Sequence, residues 1–278
     1  MNKHYLVTDL DGTLLQPDAS LSPFAVDVVK EALGKGMIIS YATARSYISS
    51  NSVAGAIPWK HPLLLYNGAL LFDPLECRVL DGAFLDSDIT NDLIRYAKSG
   101  YLLCPLLFAL DDMDNEKVLH EPFIRSGERQ FAASRPNDKR FHELMELACP
   151  GSYRTLLLTF IGTIDELQPL ADCIQRDYGE RVHLHLMPDA YIENHYFLEI
   201  SHPNANKRDG LLLWAKHVGC KPEDIVVFGD NLNDIGLFQA AGKKIAVANA
   251  QPQLKTLADE VIAANSDDGV ARFIQALQ

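Results

Sequence analysis

The chain has 278 residues, 47% hydrophobic and 22% charged, with a formal net charge of -12, which is ordinary for a globular protein of one or two domains and contrary to disorder. The acidic balance argues against a nucleic-acid partner, which needs a basic face, but allows a small phosphorylated ligand where a metal and a few cations reverse the local field. No apolar run reaches the ~20 residues of a membrane helix, the amino terminus passes straight into a strand, and Cys77, Cys104, Cys149, Cys173 and Cys220 form no Cys-x-x-Cys pair, so a cytoplasmic protein with reduced thiols and no membrane association is expected.

In chain order, Tyr5 to Thr8 reads as a buried strand that ends on Asp9-Leu10-Asp11-Gly12. Ser22-Pro23 marks a helix start, with apolar residues at Phe24, Val28, Val29, Ala32 and Leu33 and a stop at Gly34 and Gly36. Met37 to Ala42 is a second strand, a helix follows near Ser46, and Pro62 to Tyr66 is a third buried strand closed by Asn67-Gly68. This alternation implies parallel pairing with right-handed crossovers. The rhythm then changes. A hairpin is expected over 70–80, a helix over Ser87 to Lys98, a strand over Leu102 to Ala109, an irregular polar segment over Asp111 to Arg140 and a helix over Lys139 to Ala148. Thr155 to Phe160 reads as a strand, Ile164 to Tyr178 as a helix, and Val182 to Met187 and Tyr196 to Ile200 as strands. The βα rhythm resumes from Asn206 to the terminal helix at Asp268 to Ala276. The first and last thirds thus form one doubly wound sheet around an inserted α/β module, and in such sheets ligands bind beyond the carboxyl ends of the strands.

The polar clusters fall in that region. Side chains at i and i+2 of an extended segment point the same way, so Asp9 and Asp11 share one small volume and call for a cation; an Asp-Gly turn with backbone-capping carboxylates is the plainer reading. Thr43, in Thr43-Ala44-Arg45, is either a helix N-cap or an acceptor site for a phosphate oxygen. Lys207 sits at the front of a helix, where a cation opposes the dipole, although a solvated surface lysine is the default. Gly229-Asp230-Asn231-Leu232-Asn233-Asp234 ends a second apolar strand in two carboxylates, and oxygen ligands without Cys or His suit a hard cation such as Mg²⁺.

These four clusters, in this order, resemble the motifs of the haloacid dehalogenase superfamily, and Asn67-Gly68-Ala69, Val247-Ala248-Asn249-Ala250 and Asn265 to Ala271 narrow the resemblance to its Cof-like sugar-phosphate phosphatase branch. Ala44 departs from the branch, which usually has glycine there. The resemblance implies a doubly wound, mostly parallel Rossmann-like core (1–83 and 203–278) with an α/β cap (84–202). It implies a Mg²⁺-dependent phosphatase of small phosphomonoesters, with a phosphorylated metabolite as partner. Asp9 is then the nucleophile that forms an aspartyl-phosphate, and Asp11 the proton shuttle, kept protonated by burial or a neighbouring anion. Asp9, the Asp11 carbonyl and Asp230 hold the metal while Asp234 orients its water. Thr43 and Lys207 hold the phosphoryl oxygens, with Leu10, Ala44, Arg45, Asn67 and Asn233 completing the phosphate and substrate contacts.

A phosphotransferase or mutase using the same intermediate, and a non-catalytic phospholigand-binding protein, are the alternatives. Residues around Asp189 to His195 are further candidate substrate contacts, and His183 and His185 alternate with aliphatics as on a solvated strand face. Monomer and homodimer both stay open.

Overall fold

The computed structural model describes residues 4–188 and 192–278. Strand β1 (Tyr5–Thr8) is followed by a tight helical turn over Leu10–Leu14. Helix α1 (Pro23–Gly34) starts where Ser22 accepts the Ala25 N–H, and it buries Val28, Val29, Ala32 and Leu33. Strand β2 (Ile38–Tyr41), helix α2 (Tyr47–Ala54), strand β3 (Leu63–Leu65) and the hairpin β4 (Leu70–Asp73) and β5 (Arg78–Gly82) complete the amino-terminal part. Two expectations change here. Helix α2 is capped by Ser46, so Thr43 lies in the turn before the helix and not at its start. Strand β3 touches β2 through one parallel bridge, Ala42 to Leu64, and otherwise pairs antiparallel with β4 in a separate three-stranded sheet. The hairpin that follows offers β3 a nearer partner than a crossover does.

The inserted segment forms a second compact unit over Ala83–Pro203. It runs α3 (Ser87–Tyr101), β6 (Leu106–Leu110), β7 (Glu116–His120), α4 (Ser126–Ala133), β8 (Phe141–Glu143), β9 (Arg154–Gly162), α5 (Ile164–Tyr178), β10 (His183–Pro188) and β11 (Tyr196–Ser201). Six strands make one sheet in the order β10-β11-β9-β6-β7-β8, antiparallel except for β7 with β8. A core of Leu93, Ile94, Leu158, Phe160, Leu170, Ile174, Leu198 and Ile200 joins the sheet to α3 and α5. Residues 111–140 are not irregular throughout: Val118 and Leu119 bury a strand, and Phe131 packs α4 into a second cluster with Leu106, Val118 and Ile161. The helix expected over Lys139 to Ala148 is absent. Phe141 to Glu143 pairs with Val118 to His120, so edge pairing overrides local helical spacing and Met145 points outward. The strand expected from Leu102 begins only at Leu106, because Leu102 closes α3 in a left-handed conformation (φ 55°).

The other unit comprises residues up to Gly82 together with Asn204–Gln278. Its carboxyl-terminal part contains α6 (Lys207–Val218), β12 (Ile225–Gly229), α7 (Ile235–Ala240), β13 (Lys243–Val247), α8 (Pro252–Leu257), β14 (Glu260–Ile262) and α9 (Gly269–Ala276). The main sheet has the order β14-β13-β12-β1-β2 and every pairing is parallel. From β1 the chain steps outward to β2 on one side and, after the insertion, from β12 to β14 on the other. The topological switch therefore falls between β1 and β12, the two strands that end in acids. Helix α6 is anchored by Trp214, fully buried, whose Nε1–H donates to the Pro62 carbonyl at 2.7 Å. Its first turns lie close to residues 66–68 because Gly210 has no side chain: a Cβ there would lie 2.8 Å from the Gly68 Cα.

Ser22 both caps α1 and donates to Asp268, at 2.9 and 2.7 Å. Ser22→Ala is expected to cost about 1 kcal/mol, the usual worth of an N-cap, read as a lower urea midpoint with an unchanged slope; an unmoved midpoint would refute the cap's contribution.

Candidate active site

The end of β1 places Asp9 almost out of water, 5% exposed, while its N–H continues the ladder to the Phe228 carbonyl at 3.0 Å. The Lys207 Nζ lies 2.8 Å from Asp9 Oδ1 and 2.6 Å from Asp234 Oδ1. Lys207 is thus buried, not a solvated surface residue. Burial alone disfavours its charge, but Asp234 and Asp9 outweigh it and hold the ammonium's pKa above the ordinary range. The other Asp234 oxygen accepts the N–H groups of Asp230 and Asn231 at 3.0 and 3.1 Å, which fixes the turn after β12.

Asp230 faces the turn after β1. Gly12 has a left-handed conformation (φ 76°), and a Cβ there would lie 2.8 Å from the Asp230 Cγ, so only glycine admits the carboxylate. Thr13 Oγ1–H donates to Asp230 Oδ1 at 2.9 Å. Each of Asp9, Asp230 and Asp234 offers an oxygen within 4.8 Å of the others, and no further cluster of three such ligands occurs among the described residues. Burial, then Asp234, raises the pKa of Asp9 well above the carboxylate range; the same causes lift Asp230 to about 6. Three carboxylates around one ammonium leave an excess of negative charge. Their hard oxygen donors, partly desolvated, fit a divalent cation.

Asp11 stands apart from that trio. Its side chain is 48% exposed and forms a two-pronged pair with Arg45, Nε to Oδ2 at 2.7 Å and Nη2 to Oδ1 at 2.6 Å. The burial and neighbouring anion expected around Asp11 fall instead on Asp9 and Asp230, because the chain turns at Leu10 and sends the two acids to different surroundings. Thr43 is buried, its Oγ1 accepts the Arg45 N–H at 3.1 Å, and its carbonyl accepts the Asn67 N–H. Ala44 occupies the turn between them and is exposed, whereas Leu10 is fully buried. Asn233 donates to Asn67 Oδ1 at 3.1 Å, so these two candidate contacts are adjacent.

In the inserted unit His195 Nδ1 lies 2.9 Å from the Glu193 carbonyl, and Asp189 lies outside the described residues. His183 and His185 are partly desolvated on β10, which lowers both imidazole pKa values, and they are not part of the acidic cluster. Thr13, directly after the Asp-Gly turn, is a functional neighbour that strand and motif reasoning leaves without a role; a hydroxyl at that position of the turn is the signal for its contact with Asp230.

The sequence profile of the haloacid dehalogenase-like hydrolases matches residues 6–274, and the chain belongs to that family. It is 27% identical over 279 residues to the pyridoxal phosphate phosphatase YbhA of Escherichia coli, covering 99% of this chain and 98% of that protein. It is also 27% identical over 280 residues to the 5-amino-6-(5-phospho-D-ribitylamino)uracil phosphatase YitU of Bacillus subtilis, covering 98% and 97%. Among solved structures, a haloacid dehalogenase-like hydrolase from Bacteroides thetaiotaomicron shares the fold with a TM-score of 0.81 at 20% identity, over 100% of both chains.

A carboxyl whose folded pKa exceeds its unfolded value adds stability only while protonated. For Asp230 that contribution is present below about pH 4, the unfolded value, and is lost as pH rises through the folded value of about 6. In chelator, Asp230→Asn is therefore expected to gain thermal stability relative to wild type as pH rises from about 4 to 7; a difference independent of pH would exclude the strain.

Proposed function

We propose that the protein is a Mg²⁺-dependent phosphatase of small phosphomonoesters that works through an aspartyl-phosphate on Asp9. The observation that carries this reading is Asp9 itself, a nearly water-free carboxylate held by the Lys207 ammonium beside two further acids. The names of the relatives, which include phosphatases of pyridoxal phosphate and of a phosphoribitylamino uracil, support hydrolysis of small phosphorylated metabolites. In this reading the inserted unit, residues 84–202, serves as the cap that selects among them.

A carboxylate and a phosphate dianion repel by about 4 kcal/mol per charge pair at 4 Å and an effective dielectric near 20. Lys207 offsets part of this while keeping Asp9 oriented. Asp9, Asp230 and the main chain of Asp11 would hold the Mg²⁺ and Asp234 would orient its water; the ion would supply the remaining charge neutralisation and polarise the phosphoryl oxygens. An Asp9 oxygen attacks phosphorus and the ester oxygen leaves with a proton from Asp11. Water, losing a proton to Asp11, then attacks the aspartyl-phosphate at phosphorus and releases inorganic phosphate with Asp9 restored. For proton donation Asp11 exchanges the Arg45 guanidinium for the leaving oxygen. Thr43, with Asn67 and Asn233, bounds the phosphate position, and Leu10 and Ala44 contribute main chain.

With Mg²⁺ and p-nitrophenyl phosphate, turnover is expected that chelator abolishes and that Asp9→Asn lowers by about 10⁴-fold or more. Turnover by Asp9→Asn at the wild-type rate, or none by wild type on any of a panel of phosphoesters, would overturn the assignment. Asp11→Asn is expected to slow alkyl phosphates by about 10²–10⁴-fold and p-nitrophenyl phosphate far less in the first step, because nitrophenolate leaves without a proton; single-turnover rates on the two substrates check this.

A further inference from the structure

The segment after β13 makes contacts that the proposed chemistry does not use. Asn249 Nδ2–H donates to the Gly12 carbonyl at 2.7 Å, and its Oδ1 accepts the Asn265 N–H at 3.0 Å. Two residues on, the Gln251 N–H donates to the Asp230 carbonyl at 2.8 Å. One short stretch of chain therefore grips both acid-bearing turns by their main chains, the turn after β1 at Gly12 and the turn after β12 at Asp230. The stretch is itself tight: the Ala250 N–H returns to the Val247 carbonyl at 2.9 Å, and Gln251 leads into α8. Behind it, Asn265 Nδ2–H donates to the Leu15 carbonyl at 2.8 Å, and Gln16 donates to the Asn265 carbonyl at 3.0 Å and to Asp268 at 2.7 Å. The far end of the opening turn is thereby tied to the carboxyl-terminal segment.

We propose that Asn249 is a positioning residue that sets the spacing between the Asp9–Gly12 turn and the Asp230 turn, and through it the geometry of the cation site. Three observations lead there. Asp9, Asp230 and Asp234 bring oxygens within 4.8 Å of one another, and like charges that close push the turns apart. Across the gap Thr13 offers one side-chain hydroxyl contact to the Asp230 carboxylate. Asn249 and Gln251, by contrast, hold main-chain carbonyls from a common short segment, so neither turn can move away without breaking a hydrogen bond. Asn249 is exposed and fills no core position, so its contacts, not its packing, are what a substitution removes. The inference rests on the proposed cation-dependent reading of the site and adds a residue outside the acid cluster to it.

The test reads cation binding directly, by titrating the metal-free full chain with Mn²⁺ and following free Mn²⁺ by electron paramagnetic resonance, without turnover. Asn249→Ala is expected to weaken Mn²⁺ binding about 10-fold or more, the usual scale for a residue that orients metal ligands, while the far-ultraviolet circular dichroism stays that of wild type. Asn249→Ser, whose hydroxyl is too short to reach Gly12, is expected to behave the same way and decides the matter if the alanine variant does not fold. A folded variant that binds Mn²⁺ within twofold of wild type, even with a lowered thermal midpoint, would reduce Asn249 to a structural tie and overturn the proposal. A wild type that binds no Mn²⁺ at all would overturn the cation-dependent reading, and this inference with it.

Discussion

One buried ammonium organises the catalytic end of the molecule. Lys207 is withdrawn from water and touches Asp9 and Asp234 at once. Removing a lysine from solvent is unfavourable unless its charge is met, and here two carboxylates meet it. In return it binds three remote stretches of sequence at a single point: the end of β1, the start of α6 and the turn after β12. The position of Asp234 follows, because its second oxygen is committed to the main chain of Asp230 and Asn231. Asp230 is then aimed at Gly12, where the missing Cβ receives it.

The same arrangement is electrostatically incomplete. Three acids and one ammonium leave a negative excess in a volume with little water, and burial together with that excess raises the pKa of Asp9 and Asp230. A site strained in this sense favours any ligand that carries positive charge. Asp11 escapes the problem by facing the other way, toward Arg45. Two aspartates separated by one residue thus end in very different surroundings.

Much of this was legible in the sequence, for identifiable reasons. Helix α5, helix α6 and the strands ending at Thr8 and Phe228 carry strong periodicity or apolar runs with clear caps, and they form nearly where the residues predict. The acids stood out because charge at the end of an apolar strand is rare. What escaped was set by partners far along the chain. Phe141 to Glu143 has helical spacing but is captured by the edge of β7, and β3 leaves the parallel sheet for the hairpin beside it. Strand β7 and helix α4 hide in a segment whose polar composition masks Val118 and Phe131. The surroundings of Asp11 were misjudged because alternation along a strand was extended into a turn, where it no longer holds.

The adjacency of β1 and β12 also bears on how the protein is made. Thr13 and Asp230 meet across 217 positions, so as the chain leaves the ribosome β1 emerges long before β12 and has β2 as its neighbour in the main sheet until the last third arrives. The inserted unit, whose six strands form one sheet among the described residues, can complete it in the meantime. A nascent chain that stops short of β12 carries an open strand edge with apolar Leu6 and Val7 beside it, the type of surface that chaperones and aggregation compete for. Closing that edge is also the event that brings Asp230 to Gly12, so the chain gains its acid cluster only when the open edge of β1 is covered.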